Sequence, residues 1–112
     1  MRRGEVWRGS LPFAGGREQA GERPAVIIQD DTFIGSLPLS LIVPLTGELA
    51  AARFEGTLVV QPDDHNGLTI PSVALVFQTR ALDKRRFVER IGSLDGQTPD
   101  AVVDLLRTLT GG

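Results

Sequence analysis

Cysteine and tyrosine are absent from the 112 residues, and histidine, tryptophan and methionine occur once each. Without cysteine there is no disulfide framework, thiolate nucleophile or cysteine-ligated zinc, and the chain suits a reducing compartment. The single histidine, His65, lies in the turn sequence Asp63-Asp64-His65-Asn66-Gly67. It rules out a paired-histidine mechanism and reads as a solvated turn residue. Asp63 and Asp64 read as turn chemistry too, with no second ligand set in view, so neither a metal nor another cofactor is expected. Gly15-Gly16 has neither the Gly-Lys-Ser/Thr of a phosphate loop nor the context of a dinucleotide fingerprint. Long apolar runs are missing: nothing approaches the roughly 18 residues of a membrane span. The basic opening Met1-Arg2-Arg3 is not followed by the apolar stretch of a signal peptide. A cytoplasmic chain with no membrane segment is expected.

What is present is ordinary for a soluble globule: 41% hydrophobic and 23% charged residues. The length suits one domain, residues 1–112, with one aliphatic core. A net charge of −2 argues against wrapping a long duplex. The cations are nevertheless unusual, because all but Lys84 of the 12 are arginine. They cluster at Arg2, Arg3 and Arg8, and again at Arg80, Lys84, Arg85, Arg86 and Arg90. Arginine grips phosphate with a planar two-pronged fork, which leaves room for a small nucleic-acid site on an acidic protein.

Strand signals dominate the pattern. Residues 5–11 alternate loosely up to Pro12. A loop carrying Gly15, Gly16 and Gly21 ends at Arg23-Pro24, where the proline pushes Arg23 into extended backbone. Ala25-Val26-Ile27-Ile28-Gln29 is a β-branched run typical of a buried strand, closed by the turn formers Asp30-Asp31-Thr32. A third strand spans 40–45, and its Pro44 cannot donate to a ladder, which predicts an edge or a bulge there. Residues 46–56 read as a flexible connection. Strands are predicted at 57–61, 72–80 and 88–92. The period then changes. Thr98-Pro99-Asp100 offers an N-cap, a first-turn proline and an early carboxylate, and Val102, Leu105, Leu106 and Leu109 form one apolar stripe. That stripe either packs on the sheet or serves a dimer. Several short strands and one terminal helix predict a mainly β fold, a small and partly closed barrel with the helix against it.

One loop is more specific than the rest. Gly16-Arg17-Glu18-Gln19-Ala20-Gly21-Glu22-Arg23-Pro24, between the opening Arg3-Gly4-Glu5-Val6-Trp7 and an apolar strand, resembles the N-terminal signature of the MazF/PemK toxin family. Val43-Pro44-Leu45-Thr46 is similar to that family's third strand, ending in a threonine. Phe77-Gln78-Thr79-Arg80-Ala81-Leu82-Asp83 resembles its late Gln-x-Arg segment, and residues 88–92 resemble the piece that follows. Each match is short, but four in order span nearly the whole chain. Two positions depart from the pattern: Arg17 stands where many members carry a small hydroxyl residue, and Phe77 where many carry a carboxylate.

The resemblance implies an SH3-like barrel of five to seven strands with a C-terminal helix, of the CcdB/PemK-like type, and a homodimer. It implies a sequence-selective endoribonuclease acting on single-stranded RNA without a metal, by attack of the ribose 2′-OH, and neutralised by a cognate antitoxin. The catalytic candidates are Arg23, Thr46 and Glu18. Such chemistry needs neither metal nor histidine if a cation stabilises the extra charge on phosphorus, and Arg23 suits that task. A guanidinium is a poor general base in water, so Arg23 is read as charge stabiliser and Glu18 as the candidate base. Gln19, Arg17, Gln78, Arg80 and Phe77 are the RNA-binding candidates, with Gln78 expected to read base edges and Arg80 to meet phosphate or base. Phe13 and Phe54 are further stacking candidates, and Trp7 is expected in the core or a dimer interface. A gyrase-poisoning toxin or binding module on the same barrel is the alternative. Against it, residues 106–112 lack the terminal Trp-Gly-Ile of those proteins, and the chain carries the Arg-Pro loop they lack.

Overall fold

A buried β-strand needs side chains that tolerate packing on both faces, and the run Ala25-Val26-Ile27 fills that requirement at the centre of this protein. A computed structural model describes residues 1–13 and 15–112. The chain forms β1 (Glu5–Leu11), β2 (Gly21–Ile27), α1 (Asp31–Ile34), β3 (Leu39–Thr46), β4 (Thr57–Val60), β5 (Ser72–Leu75), β6 (Arg80–Asp83), β7 (Phe87–Ser93) and α2 (Gln97–Leu109). The strands follow the order β4, β5, β3, β2, β1, β7, and β6 joins β3 off that path. Every pairing is antiparallel. The expected mainly β fold with its terminal helix is therefore observed with seven strands. The end strands β4 and β7 do not pair with each other, so the sheet is not closed.

Alternate residues of the central strands feed two cores. Val6, Val26, Val43 and Leu45 join Val60, Ala74 and Val76 beneath α2, where Val102, Val103, Leu105 and Leu106 meet them. Val102, Leu105 and Leu106 of the helix stripe thus pack on the sheet, while Leu109 stays exposed. On the other side Leu11, Ala25, Ile27 and Ile42 pack with Ile34 of α1, Leu82 of β6, Trp7 and Phe87. Trp7 meets Phe87 edge to face at 5.8 Å, which assigns it to this core. Each fully buried aliphatic side chain contributes about 1.5–3 kcal/mol.

Several boundaries differ from expectation, each for a local reason. β2 starts at Gly21, ahead of the proline, because Arg23 and Pro24 already pair with Gly9 and Arg8 of β1. Pro44 lies in an inner strand rather than at the sheet edge. It faces Ala25 on one side. On the other it falls between Ile42, the last residue paired with β6, and Leu45, the first paired with β5. No rung exists there for a proline to spoil. The predicted strand 72–80 is broken by a 3-10 turn at Val76–Gln78, where Phe77 N donates to Gly56 O and Thr79 N to Val76 O. The connection after β3 contains a 3-10 turn, Leu49–Arg53. Helix α2 begins earlier than the Thr98 signal suggests: Asp95 accepts from Gln97 N and Thr98 N and supplies the capping carboxylate. Among the described residues no helix is long and apolar enough to cross a membrane.

The turn holding His65 is a structural clasp. Asp63 Oδ1 accepts from His65 N and Asn66 N, and buried Asn66 donates to Gln61 O while accepting from Leu68 N. His65 contributes its carbonyl, which accepts from Ser93 N at 2.8 Å. This docking works only because β7 has a glycine there: a Cβ on Gly92 would lie 2.3 Å from the Asn66 carbonyl carbon and 2.5 Å from His65 O. Gly35, with open space around it, is the matched control. Gly92→Ala is expected to cost about 1–3 kcal/mol through overpacking against main chain, lowering Tm by roughly 5 °C or more. Gly35→Ala should leave Tm nearly unchanged, and equal Tm values for the two variants in thermal unfolding would refute the clasp.

Acid sensitivity follows from Glu5. Burial pushes its carboxyl up, but hydrogen bonds from Trp7 Nε1 and Arg2 N, the N-terminal ammonium and Arg90 together outweigh burial and hold it below the ordinary value of 4.5. A carboxylate depressed in the folded state contributes stability that is fully present above the unfolded value and lost as pH falls through the folded one. Stability should therefore decline as pH drops below about 4.5. Urea unfolding of Glu5→Gln against the parent should show a smaller loss across that window; parallel pH profiles would remove Glu5 from the account.

Candidate active site

The loop between β1 and β2 turns back toward β3 because its two ends are laddered together, Leu11 opposite Gly21. It is held by Gln78, the last residue of the 3-10 turn at Val76–Gln78, and by Arg80 of β6. Gln19 N donates to Gln78 Oε1 at 2.9 Å, and Gln19 O accepts from Arg80 Nη1 at 3.2 Å. Gln78 and Arg80 are thus brought to the loop, with their side chains engaged on its main chain. The Gln19 side chain has its Oε1 buried and without a partner among the described residues.

Arg23 stands exposed on β2, its Nε donating to Ala20 O at 3.2 Å. Among the described residues its two terminal nitrogens have no partner. Thr46 ends β3 with 8% of its surface exposed. The β2–β3 register runs Val26 to Val43 and Ala25 to Pro44; continued by two residues, it sets Arg23 opposite Thr46. Thr46 Oγ1 accepts from Glu48 N at 3.2 Å, which leaves its own hydrogen available to a ligand oxygen. A cleft of about 260 Å³ opens here, lined by Gln19, Thr46, Glu48, Ala51, Arg53 and Phe54. Arg23 is beside this cleft on the neighbouring strand and does not line it.

Glu18 and Arg17 are exposed on the loop and form no hydrogen bond or ion pair among the described residues. Glu18 lies against Gly16, where a Cβ would sit 2.6 Å from its Oε2, and nothing links it to Arg23. Phe77 and Phe54 are 45% and 44% exposed, with ring centroids 5.8 Å apart, and the Arg53 guanidinium lies 4.3 Å from the Phe54 ring centroid. Phe13 is more exposed still and stands apart from this pair. Arg53, Glu48 and Ala51 were not expected at the site. The adjacent cation and aromatic at Arg53-Phe54, within a stretch that reads as a mere connection, is the signal that points to them.

Among the described residues none of the site arginines is paired with a carboxylate, whereas five others are. Arg3 pairs with Asp100, Arg8 with Glu22 and Glu89, Arg85 with Asp83, Arg90 with Glu5 and Arg107 with Asp104. In the two basic clusters of the sequence such pairs engage Arg3, Arg8, Arg85 and Arg90. Arg2, Arg17, Arg23, Arg53, Arg80 and Arg86 form no ion pair among the described residues, and of these Arg17, Arg23, Arg53 and Arg80 belong to the loop, the cleft and the strand behind it. Among the described residues no group of three or more His, Asp or Glu is placed to hold a metal ion.

An open seven-stranded antiparallel sheet with one C-terminal helix, and a cleft that holds the buried Thr46, defines a small mainly β protein. The sequence profile described as the PemK-like, MazF-like toxin of type II toxin-antitoxin systems matches residues 2–110, and the chain belongs to that family. The endoribonuclease MazF of Staphylococcus saprophyticus is 36% identical over 91 residues, which cover 81% of this chain and 75% of that protein. The crystal structure of MazF from Deinococcus radiodurans superposes with a TM-score of 0.84 at 24% identity, covering 100% of this chain and 97% of that one. A mycobacterial endoribonuclease in complex with its cognate antitoxin gives a TM-score of 0.78 at 20% identity, over 99% of this chain and 95% of that one. Both likenesses concern the fold.

Proposed function

We propose that this chain is a sequence-selective endoribonuclease toxin that cleaves single-stranded RNA in the cytoplasm without a metal ion and is neutralised by a cognate antitoxin. The observation that carries this reading is that the two terminal nitrogens of Arg23 have no partner among the described residues, on a strand whose register with β3, continued beyond Ala25 and Pro44, leads to Thr46. In the reaction, a ribose 2′-oxygen attacks the adjacent phosphorus as its proton passes to a base, for which Glu18 is the candidate. The bond to the 5′-oxygen of the next nucleotide breaks, and that oxygen leaves with a proton. The products carry a 2′,3′-cyclic phosphate and a 5′-OH. Negative charge grows on the non-bridging oxygens as five bonds form around phosphorus, and the two terminal nitrogens of Arg23 can meet both oxygens while Thr46 donates a third hydrogen bond.

Arg17, Gln19, Gln78, Arg80 and Phe77 line the RNA path in this reading. The half-exposed Phe54 and Phe77 rings supply a stacking surface suited to unpaired bases. The ion-pair pattern supports it as well, since phosphate contacts need guanidiniums that no carboxylate already occupies. The arginines in and around the cleft also suit an extended acidic segment of an antitoxin.

A homodimer is part of the proposal. Leu37, Pro38, Leu39, Leu41, Ala81 and Gln29 line an apolar hollow of about 350 Å³ on the β3/β6 face, the kind of exposed patch that a symmetric copy covers. Sedimentation equilibrium should find a dimer for the parent and a monomer for Leu41→Asp; a monomeric parent would remove the dimer from the proposal.

The catalytic reading is tested with purified protein and single-stranded RNA in EDTA. Arg23→Ala is expected to lose cleavage by at least about 10²–10³-fold, the usual cost of removing one stabilising donor, with its Tm unchanged. The parent's fragments should end in 2′,3′-cyclic phosphate. Undiminished cleavage by Arg23→Ala, or fragments ending in 3′-OH, would overturn the mechanism.

A further inference from the structure

We propose that Gln78 and Arg80 are positioning residues, which aim the Arg23 guanidinium by clamping the main chain of Gln19. The proposal rests on the reading of Arg23 as the group that stabilises the phosphate, and it gives Gln78 and Arg80 a task other than reading bases.

Two side chains from residues far along the sequence converge on both polar groups of one loop residue. Gln78 accepts from Gln19 N at 2.9 Å, and Arg80 donates to Gln19 O at 3.2 Å. Peptide units are planar, so holding N and O of one residue holds the planes on both sides of its Cα. The next residue is Ala20, whose carbonyl accepts from Arg23 Nε at 3.2 Å. On its far side, Gly21 is anchored opposite Leu11 in the β1–β2 ladder, with a left-handed φ of 84° that favours glycine. Ala20 is therefore held between a clamped plane and a laddered residue, and only its own φ and ψ separate the clamp from the carbonyl that Arg23 uses.

That carbonyl decides where the fork points. With Nε held by that carbonyl the guanidinium is restricted in direction, and the terminal nitrogens, which have no partner among the described residues, are left to a ligand. Loss of the clamp would let the Ala20 carbonyl swing and the fork with it. A misplacement of about 1 Å at a reacting group can cost roughly 10²-fold in rate. The clamp also has a support of its own: Phe77 N donates to Gly56 O, which fixes the 3-10 turn that carries Gln78.

The test uses single-turnover cleavage of a panel of single-stranded RNAs, each varied at one position, with Gln78→Leu, Gln78→Glu, Arg80→Met, Arg23→Ala and the double variant Gln78→Leu/Arg23→Ala. Gln78→Leu and Arg80→Met are expected to slow every RNA by about 10- to 100-fold and to leave the ranking of sequences unchanged. Gln78→Glu, which keeps an acceptor for Gln19 N, should be faster than Gln78→Leu. The double variant should be no slower than Arg23→Ala, since two residues acting through one group are not additive. A reading independent of activity is the arginine Nε–H signal of Arg23 in ¹⁵N NMR, assigned by its absence from Arg23→Ala. It should be protected in the parent and lose protection in Gln78→Leu. The proposal is overturned if Gln78→Leu changes the preferred sequence at an undiminished rate, if the two losses multiply, or if the signal is unmoved. Retained cleavage by Arg23→Ala would instead refute the catalytic reading, while the NMR signal would still decide the clamp.

Discussion

Pro44 has no backbone hydrogen to donate, and the arrangement around the cleft depends on where that vacancy falls. β3 carries two neighbours along one edge, β6 as far as Ile42 and β5 from Leu45 onward. Between them a ladder would need a donor or a partner that Pro44 does not offer. The neighbouring chain leaves the edge at this point and makes its 3-10 turn at Val76–Gln78. The turn brings Gln78 under the β1–β2 loop, where it meets Gln19 N. A continuous strand from 72 to 80 would keep Gln78 on an alternating face of a sheet and could not serve the loop in this way.

Charge is arranged by occupation more than by number. The protein is acidic overall, and Arg3, Arg8, Arg85, Arg90 and Arg107 are committed to carboxylates at the surface, where each pair contributes little to stability. Their effect is to use up guanidiniums away from the cleft. The fork of Arg23 is held by a carbonyl, which orients it without neutralising it. Arg80 is held in the same manner, by Gln19 O. A carboxylate in either place would fix the side chain equally well and cancel the charge that a phosphate needs.

Much of this was legible in the sequence because it rests on local patterns. The doubly buried run at Ala25-Val26-Ile27, the alternation in β1 and the stripe in α2 each depend on residues close together, and each was recovered. The loop motif from Gly16 to Pro24 and the threonine at 46 were readable as a resemblance, and the β2–β3 register, observed as far as Ala25 and Pro44, would set Arg23 opposite Thr46 if continued. What escaped depends on distant partners. The break in the strand after Leu75 is set by Gly56 and by the gap at Pro44, which no window around Val76 reveals. The start of α2 was misplaced because Thr98-Pro99-Asp100 carries the usual signals, while Asp95 does the capping. Arg53 and Glu48 were passed over because a polar stretch between strands looks the same whether or not it folds onto a cleft.

The site divides its labour between a rigid part and a lightly held one. The backbones of Arg23 and Thr46 belong to strands of the central sheet, so their separation is tied to the core, and moving either would cost ladder bonds and aliphatic packing. The loop has little apolar burial of its own; its hold on the fold is the pair of hydrogen bonds at Gln19, each with a net contribution of about 0.5–1.5 kcal/mol. Ordering even a few loop residues opposes folding by an amount of the same size, about 1–2 kcal/mol per residue. The position of the Arg23 Cα is thus well determined, whereas the direction of its guanidinium hangs on the weakest part of the structure. A side chain with several rotatable bonds reaches a phosphate in many ways from one Cα, so it is the direction, set by the Ala20 carbonyl, that separates a fork poised for two oxygens from one that merely lies nearby.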